Sequence, residues 1–76
     1  RLKSVEDAVE ILGRQIEIDE EIEEALHFAI EAHEGQFRKS GEAYVIHPIL
    51  VAAITASISG DKVMVISALL HDVVED

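Results

Sequence analysis

Two apolar runs, joined by a short polar segment, limit most strongly what this chain can fold into. Residues 49–58 are almost entirely apolar, and a second apolar run covers residues 63–70. Between them, Gly60 is typical of a helix end and Asp61 of a helix N-cap. The second run is rich in valine and isoleucine, but it is too long and too well capped for a strand. We therefore predict two antiparallel helices. The first is buried on most sides, and the second, with one buried face, extends from about Lys62 to the end of the chain.

The first third of the chain has the pattern of two amphipathic helices. Ser4, with Asp7 three residues later, resembles a capping box, and Gly13 suggests the end of the first helix. Asp19 is a good N-cap for the second helix, whose apolar residues recur on one face up to His33 while acids occupy the opposite face. Because the chain has only 76 residues and no alternating strand pattern, it is predicted to form a single all-α domain, a bundle of about four helices.

The composition argues against several classes of function. The formal net charge is −10, which argues against a general nucleic-acid-binding surface. No stretch is long and apolar enough to span a membrane, and no signal peptide is recognisable. The lack of cysteine is consistent with a cytoplasmic protein. Since the chain begins with Arg1 and its most reactive residues stand at its end, we expect it to be a piece of a longer protein.

The last six residues combine one imidazole with three carboxylates. If the final helix continues to the end, His71 lies above Glu75 and Asp72 above Asp76, since residues four apart share a helix face. Such a ridge can hold a metal ion or transfer protons, but it can also be a solvated acidic helix end. Carboxylates near a helix C-terminus are disfavoured by the helix dipole, so a compensating cation is expected there.

His47, directly before Pro48, is the second part of this candidate site. Proline is favoured in the first turn of a helix, so a helix is predicted to begin here. Ten helical residues rise about 15 Å, and the start of this helix should therefore lie near the end of its antiparallel neighbour. His47 can then reach His71 and Asp72, which gives two imidazoles and a carboxylate that suit Mn²⁺, Fe²⁺ or Zn²⁺. The alternative is that His47 only begins a helix and that His71 is merely exposed.

The polar, glycine-containing segment from residue 35 to residue 44 is predicted to be a loop. Within it, Arg38 and Lys39 can bind a phosphate or stack on a base, or they can be two exposed basic residues without a ligand. An acidic chain with one local basic spot suits a small anionic ligand better than a polymer. Nearby, His33 is expected to be a hydrogen-bonded core histidine and His27 a surface residue.

Together these features resemble one family. The hydrolase domain of the Rel/Spo family of bacterial stringent-response enzymes, part of the HD superfamily of metal-dependent phosphohydrolases, is similar to this chain in two segments, AHEGQFRKSGEAYVIHPILVAAI and ALLHDVVED. The resemblance covers about residues 29–76, and residues 4–27 fit as the leading helices. It departs from the family at Ala43, where the family usually has proline. It implies an HD-domain-like helical bundle that removes the 3′-pyrophosphate from (p)ppGpp, giving GDP or GTP and pyrophosphate.

The resemblance also implies roles for individual residues. Mn²⁺ would be held by His47, His71 and Asp72, with a fourth ligand from an aspartate beyond residue 76. Glu75 and Asp76 match the pair that activates or positions the attacking water. The residues that match the loop holding the guanine nucleotide are Arg38, Lys39 and Ser40.

The resemblance further implies a synthetase domain downstream in the parent protein, and no nucleic-acid or membrane partner is expected. The isolated chain is expected to bind Mn²⁺ weakly and to hydrolyse (p)ppGpp slowly or not at all. It is also expected to self-associate through apolar surface left uncovered on the last two helices. Two alternatives remain open: another HD phosphohydrolase that acts on a different nucleotide, and a helical regulatory or interaction module without catalysis.

Overall fold

This computed structural model describes residues 4–73, which contain four helices and the segments that connect them. The helices are α1 (Val5–Gln15), α2 (Glu20–Ala32), α3 (Ile46–Ile58) and α4 (Lys62–Leu70). Within the described part there is no β-structure beyond an isolated antiparallel bridge between Phe37 and Ala43. The prediction of an all-α fold with about four helices is confirmed.

Three of the four helices begin at a polar cap. In each, an oxygen of the capping side chain accepts a hydrogen bond from a backbone N–H of the first turn at 3.0–3.2 Å: Ser4 from Asp7, Asp19 from Ile22, and Asp61 from Val63. The remaining helix, α3, has no side-chain cap and instead has Pro48 in its first turn. Proline is tolerated there because the N–H groups of the first turn have no acceptor within the helix. The predicted helix starts are therefore confirmed.

The end of α1 differs from the prediction. The helix does not stop at Gly13 but continues to Gln15, and the backbone N–H of Ile16 still bonds to the carbonyl oxygen of Leu12 at 3.1 Å. A side chain at Gly13 would begin 3.4 Å from the terminal methyl of Ile18, so the chain leaving the helix packs closely over the glycine. This packing, together with the buried Leu12, outweighs the low helix propensity of one glycine.

The end of α4 also differs from the prediction. The helix ends at Leu70 instead of continuing to the end of the chain, and residues 71–73 form a turn. The physical reason is a side-chain contact: Nδ1 of His71 lies 2.7 Å from the carbonyl oxygen of Ala68, one of the acceptors that a helix end leaves open. The predicted stacking of His71 on Glu75 and of Asp72 on Asp76 concerns residues outside the described part.

The core is built around α3. This helix packs against α1 and against α4, and α4 also packs against α2. Each helix contributes at least one fully buried aliphatic side chain to the shared core: Leu12, Ile22, Ile49, Val65 and Leu69. The two apolar runs of the sequence are thus the two helices that meet in the centre of the bundle.

The joint between α3 and α4 sets the geometry of the candidate site. Gly60 has a φ of +70°, a conformation that residues with a side chain rarely adopt, and Asp61 caps the helix that follows. The chain therefore reverses within three residues. The hydroxyl of Tyr44, just before α3, lies 2.9 Å from the carboxylate of Asp72, just after α4. The predicted proximity of these two helix ends is confirmed.

The apolar surface expected on the last two helices is present. Four large apolar residues there are exposed: Ile54, Ile58, Val63 and Met64. The self-association expected from this surface stays a prediction.

None of the helices in residues 4–73 has the length and hydropathy needed to cross a membrane.

One lysine connects the N-terminal ends of α2 and α4. The Lys62 amino group lies 2.7 Å from a carboxylate oxygen of Asp19 and 2.7 Å from one of Glu21. The hydrogen bond to Asp19 is the main cause that raises the pKa of Lys62, and the same bond holds the pKa of Asp19 below its ordinary value of 3.8. This contact lies at the solvent-exposed surface, so its effect on stability is expected to be small.

Replacing Lys62 by methionine keeps the aliphatic stem and removes the charge. The wild type should be slightly more stable than Lys62→Met near neutral pH. Because the folded-state pKa of Asp19 is lowered, this difference should be complete above pH 3.8 and disappear as the pH falls through the lower folded-state value. Urea denaturation of both proteins over a pH series measures it. A difference that persists unchanged at the lowest pH would contradict the assignment to Asp19.

Two isoleucines of α3 provide a matched test of the core. Ile49 is fully buried, whereas Ile58 is 81% exposed. Ile49→Ala should lower the free energy of unfolding by about 2–5 kcal/mol, because it leaves a cavity between packed helices. Ile58→Ala should change it by less than about 0.5 kcal/mol. Urea denaturation measures both, and equal losses would show that α3 does not face the core as described.

Candidate metal centre

His71 and Asp72 form the only pair of predicted metal ligands that the described residues bring into contact. His71 follows the last residue of α4, and its Nδ1 lies 2.7 Å from the carbonyl oxygen of Ala68. A carbonyl oxygen only accepts hydrogen bonds, so Nδ1 carries the hydrogen and donates it. In the neutral ring, Nε2 is then left with a free lone pair. This nitrogen lies 3.1 Å from Oδ1 of Asp72.

The Nε2–Oδ1 contact needs a positive charge. A neutral imidazole nitrogen and a carboxylate oxygen are both acceptors, so they repel each other at this distance unless a proton or a metal ion lies with them. Ligand atoms about 2.1 Å from a first-row divalent ion lie about 3 Å apart when they are neighbours in its coordination shell. The 3.1 Å separation matches that spacing. A divalent cation therefore fits these donor types and this spacing, and so does a proton on Nε2, which makes the contact an ion pair.

Tyr44 is the residue of this site that the sequence-based prediction missed. Its hydroxyl donates a hydrogen bond to Oδ2 of Asp72 at 2.9 Å. Its ring lies against the ring of His33, with centroids 4.9 Å apart, and meets the ring of His47 edge-on at 6.4 Å. Tyr44 stands three residues before His47, about one helical turn, and this spacing was the one available signal that the two side chains share a face.

His47 is exposed and lies at the second position of α3. Its ring meets the ring of Tyr44, and the hydroxyl of Tyr44 bonds to Asp72. Across residues 4–73, no group of three or more His, Cys, Asp or Glu side chains is arranged to hold a metal ion. The three-ligand set of His47, His71 and Asp72 thus stays a prediction.

Glu75 and Asp76, the predicted catalytic acids, lie outside the described residues. Their position relative to the His71–Asp72 pair is consequently not tested, and their roles also stay predictions.

The predicted loop is a compact turn with basic residues at its tip. We call this segment, residues 35–44, the basic turn, and the bridge between Phe37 and Ala43 closes it. The Arg38 N–H donates to the carbonyl oxygen of Glu42 at 2.9 Å, and the Gly41 N–H donates to the carbonyl oxygen of Arg38 at 2.8 Å. The side chains of the three predicted nucleotide-binding residues are exposed: Arg38, Lys39 and Ser40. Within residues 4–73, neither basic side chain forms an ion pair, so both charges are available to an anion.

The other two histidines behave as predicted. His33 is only 8% exposed, and its Nδ1 lies 2.9 Å from the side-chain oxygen of Gln36. Its Nε2 is buried without a hydrogen-bond partner among the described residues. His27 is exposed on the acidic face of α2.

A cavity of about 380 Å³ lies next to this region but is separate from it. It is bounded by the start of α1, the end of α2 and the base of the loop, and its largest apolar walls are Ile30, Phe37 and Val45. The described residues that line it include His33 but none of the predicted metal ligands or nucleotide-binding residues. The cavity is therefore not the predicted site.

Comparison with known proteins identifies the family. The HD domain family matches residues 25–76, well over half of the chain. The guanosine-3′,5′-bis(diphosphate) 3′-pyrophosphohydrolase of Haemophilus influenzae is 58% identical over 48 residues, which are 63% of this chain and 7% of that protein. The Aquifex aeolicus protein of the same name is 45% identical over 71 residues, which are 93% of this chain and 10% of that protein.

A third relative is named a bifunctional (p)ppGpp synthase/hydrolase, SpoT of Escherichia coli strain K12. It is 49% identical over 55 residues, 72% of this chain and 8% of that protein. The chain therefore belongs to the HD domain family of metal-dependent hydrolase domains, and its resemblance to the Rel/Spo proteins is confirmed. The chain spans no more than 10% of the length of these three relatives. No solved structure is significantly similar to it.

Two glycine substitutions test the geometry of the basic turn. Gly41 has a φ of +98°, whereas Gly13 lies inside helix α1. Gly41→Ala should lower the free energy of unfolding by about 1–2 kcal/mol, because a Cβ is strained in that conformation. Gly13→Ala is the control, and it should be neutral or stabilising by up to about 1 kcal/mol. Urea denaturation measures both, and a stable Gly41→Ala variant would show that the turn has another shape.

Proposed function

We propose that this chain is part of a (p)ppGpp hydrolase domain that uses a divalent metal ion, Mn²⁺ in the first instance, to remove the 3′-pyrophosphate. The observation that carries the proposal is the contact between Nε2 of His71 and Oδ1 of Asp72, two lone-pair donors 3.1 Å apart at the end of α4. The names of the relatives supply the substrate. Residues 1–76 then form the N-terminal part of the domain.

The proposed metal ligands are His47, His71 and Asp72. When bound, a divalent ion supplies a lowered pKa for a coordinated water and so makes hydroxide available near neutral pH. The chain itself orients the ligands. The bond from Nδ1 of His71 to Ala68 fixes the imidazole ring and leaves Nε2 as the nitrogen that faces Asp72, as second-sphere carbonyls commonly do in metal sites.

The reaction splits the bond between the ribose 3′ oxygen and its phosphorus. Water supplies the oxygen that ends on the pyrophosphate and a proton for the ribose oxygen, so GDP or GTP is the other product. We assign Glu75 and Asp76 to this proton transfer and to positioning the water, since a carboxylate next to the attacking water can accept its proton. This assignment is supported by the resemblance alone.

The basic turn is proposed to hold the nucleotide. Arg38 and Lys39 are exposed at its tip and have no acidic partner among residues 4–73. Arginine can bind phosphate through two parallel hydrogen bonds and can also stack on a base, and lysine adds a compact charge. Ser40 contributes a hydroxyl next to them. These residues supply positive charge where an otherwise acidic surface would repel the substrate.

The parent protein is proposed to be larger than this chain. Because one relative is named as a bifunctional synthase/hydrolase, we propose that a synthetase domain follows the hydrolase domain there. We also propose a cytoplasmic location, which suits a nucleotide substrate.

Binding of ppGpp to this chain tests the proposal with matched controls. Isothermal titration should show ppGpp binding that requires Mn²⁺. Arg38→Ala should weaken it by about 10-fold or more, since a hydrogen bond to a charged group is lost, whereas Arg14→Ala, which removes another exposed arginine from α1, should not. His71→Ala should weaken Mn²⁺ binding by at least about 10-fold, and His27→Ala should leave it unchanged.

Three results would contradict the proposal or redirect it. Binding of ppGpp that is independent of both Mn²⁺ and Arg38 would favour a helical module without catalysis. Equal binding of other nucleotides in competition would favour an HD phosphohydrolase with another substrate. Phosphorus NMR measures any release of pyrophosphate from ppGpp, and this release should stop in the Asp72→Asn variant. Release that persists in this variant would exclude Asp72 from the site.

A further inference from the structure

Tyr44 is fixed in place by contacts on several sides. Its backbone N–H donates to the carbonyl oxygen of Gln36 at 2.9 Å, which closes the base of the basic turn, and its own carbonyl oxygen accepts from the N–H of His47 at 3.1 Å. Its ring lies 4.9 Å, centroid to centroid, from the buried ring of His33. The direction of its hydroxyl is thus set by the backbone at both ends of the residue and by a ring in the core.

Asp72 lies outside the regular helix. It lies two residues beyond the last residue of α4, in a turn. Its side chain is only 20% exposed, and its two oxygens have different neighbours: Oδ2 accepts the hydrogen bond from Tyr44 at 2.9 Å, and Oδ1 lies 3.1 Å from Nε2 of His71. The hydroxyl and the imidazole thus contact different oxygens of the same carboxylate.

We propose that Tyr44 is a positioning residue, whose hydroxyl holds Oδ2 of Asp72 so that Oδ1 and Nε2 of His71 point together at the metal ion. This inference rests on the proposed metal site. It assigns Tyr44 no contact with the metal ion and no part in proton transfer. A residue of the basic turn thereby determines the orientation of a ligand 28 positions later in the chain.

A purely structural role for Tyr44 is the alternative. In that case its ring, packed on His33, matters and its hydroxyl does not. Tyr44→Phe separates the two roles, because it keeps the ring and removes only the hydroxyl. Removing a residue that orients a metal ligand typically weakens metal binding by about 10–100-fold.

The first experiment measures Mn²⁺ affinity of the 76-residue chain from the EPR signal of free Mn²⁺. Tyr44→Phe should bind Mn²⁺ about 10–100-fold more weakly than the wild type, with unchanged helical circular dichroism. Ser57→Ala is the matched control, since it removes a hydroxyl that bonds to the carbonyl oxygen of Ile54, and its affinity should equal that of the wild type. Wild-type affinity in a folded Tyr44→Phe variant would overturn the inference.

A double-mutant cycle separates this inference from the metal site itself. If Tyr44 acts through Asp72, Tyr44→Phe should cause no further loss in an Asp72→Asn background. Additive losses would overturn the positioning role. If Asp72→Asn loses Mn²⁺ while Tyr44→Phe does not, the inference fails and the proposed site stands. If Asp72→Asn binds as well as the wild type, the proposed site fails and the inference fails with it.

A second measurement needs no substitution and so does not depend on the folding of a variant. Tyr44 is the only tyrosine in the chain, so uniform incorporation of 3-fluorotyrosine labels this position alone. Because Mn²⁺ is paramagnetic, the fluorine resonance should broaden strongly as Mn²⁺ binds and should return when a chelator is added. A resonance that stays sharp at saturating Mn²⁺ would overturn the inference.

Discussion

The packing of α3 on α4 is the interaction on which the rest of the structure depends. Ile49 of the first helix and Leu69 of the second are both fully buried, and burial of such a side chain contributes about 1.5–3 kcal/mol. With the reversal at Gly60, this packing fixes which helix ends meet. Tyr44, two residues before α3, and Asp72, two residues after α4, then lie together as a consequence of that packing. A candidate site can be assembled there from short segments, because the core already holds them in place.

Local features of the fold and the proximity of two helix ends could be predicted from the sequence, but the individual side-chain contacts between those ends could not. The caps at Ser4, Asp19 and Asp61 depend on hydrogen bonds within three residues, so the pattern of polar and apolar residues reveals them. The true end of α4 depends on a ring nitrogen of His71 reaching a carbonyl oxygen. The bond from Tyr44 to Asp72 depends on the tertiary packing of two helices, and no periodicity in the sequence reports it.

The end of α4 both favours a nearby cation and orients the imidazole of His71. The C-terminal end of a helix carries a partial negative charge, so a cation is favoured there. The Nδ1–H of His71 donates to the carbonyl oxygen of Ala68, while Nε2 faces the carboxylate of Asp72, which adds a full negative charge beside it. A helix that continued through residue 72 would keep the Ala68 carbonyl in its own hydrogen-bonding pattern. Because Nδ1 of His71 bonds to that carbonyl oxygen instead, the end of the helix at Leu70 and the orientation of the imidazole have the same cause.

The negative net charge of the chain does not exclude an anionic ligand at this site. A net charge of −10 repels a polyanionic nucleotide at long range. However, charges at the surface are largely screened beyond about 10 Å at moderate ionic strength, so the charges nearest the ligand dominate. Arg38 and Lys39 stand at the tip of the turn, and Tyr44 at its base contacts the carboxylate of Asp72. A phosphate near this turn would meet the two basic side chains and, at the proposed site, a metal ion bound by Asp72, and these would offset the acids that lie on the exposed face of α2.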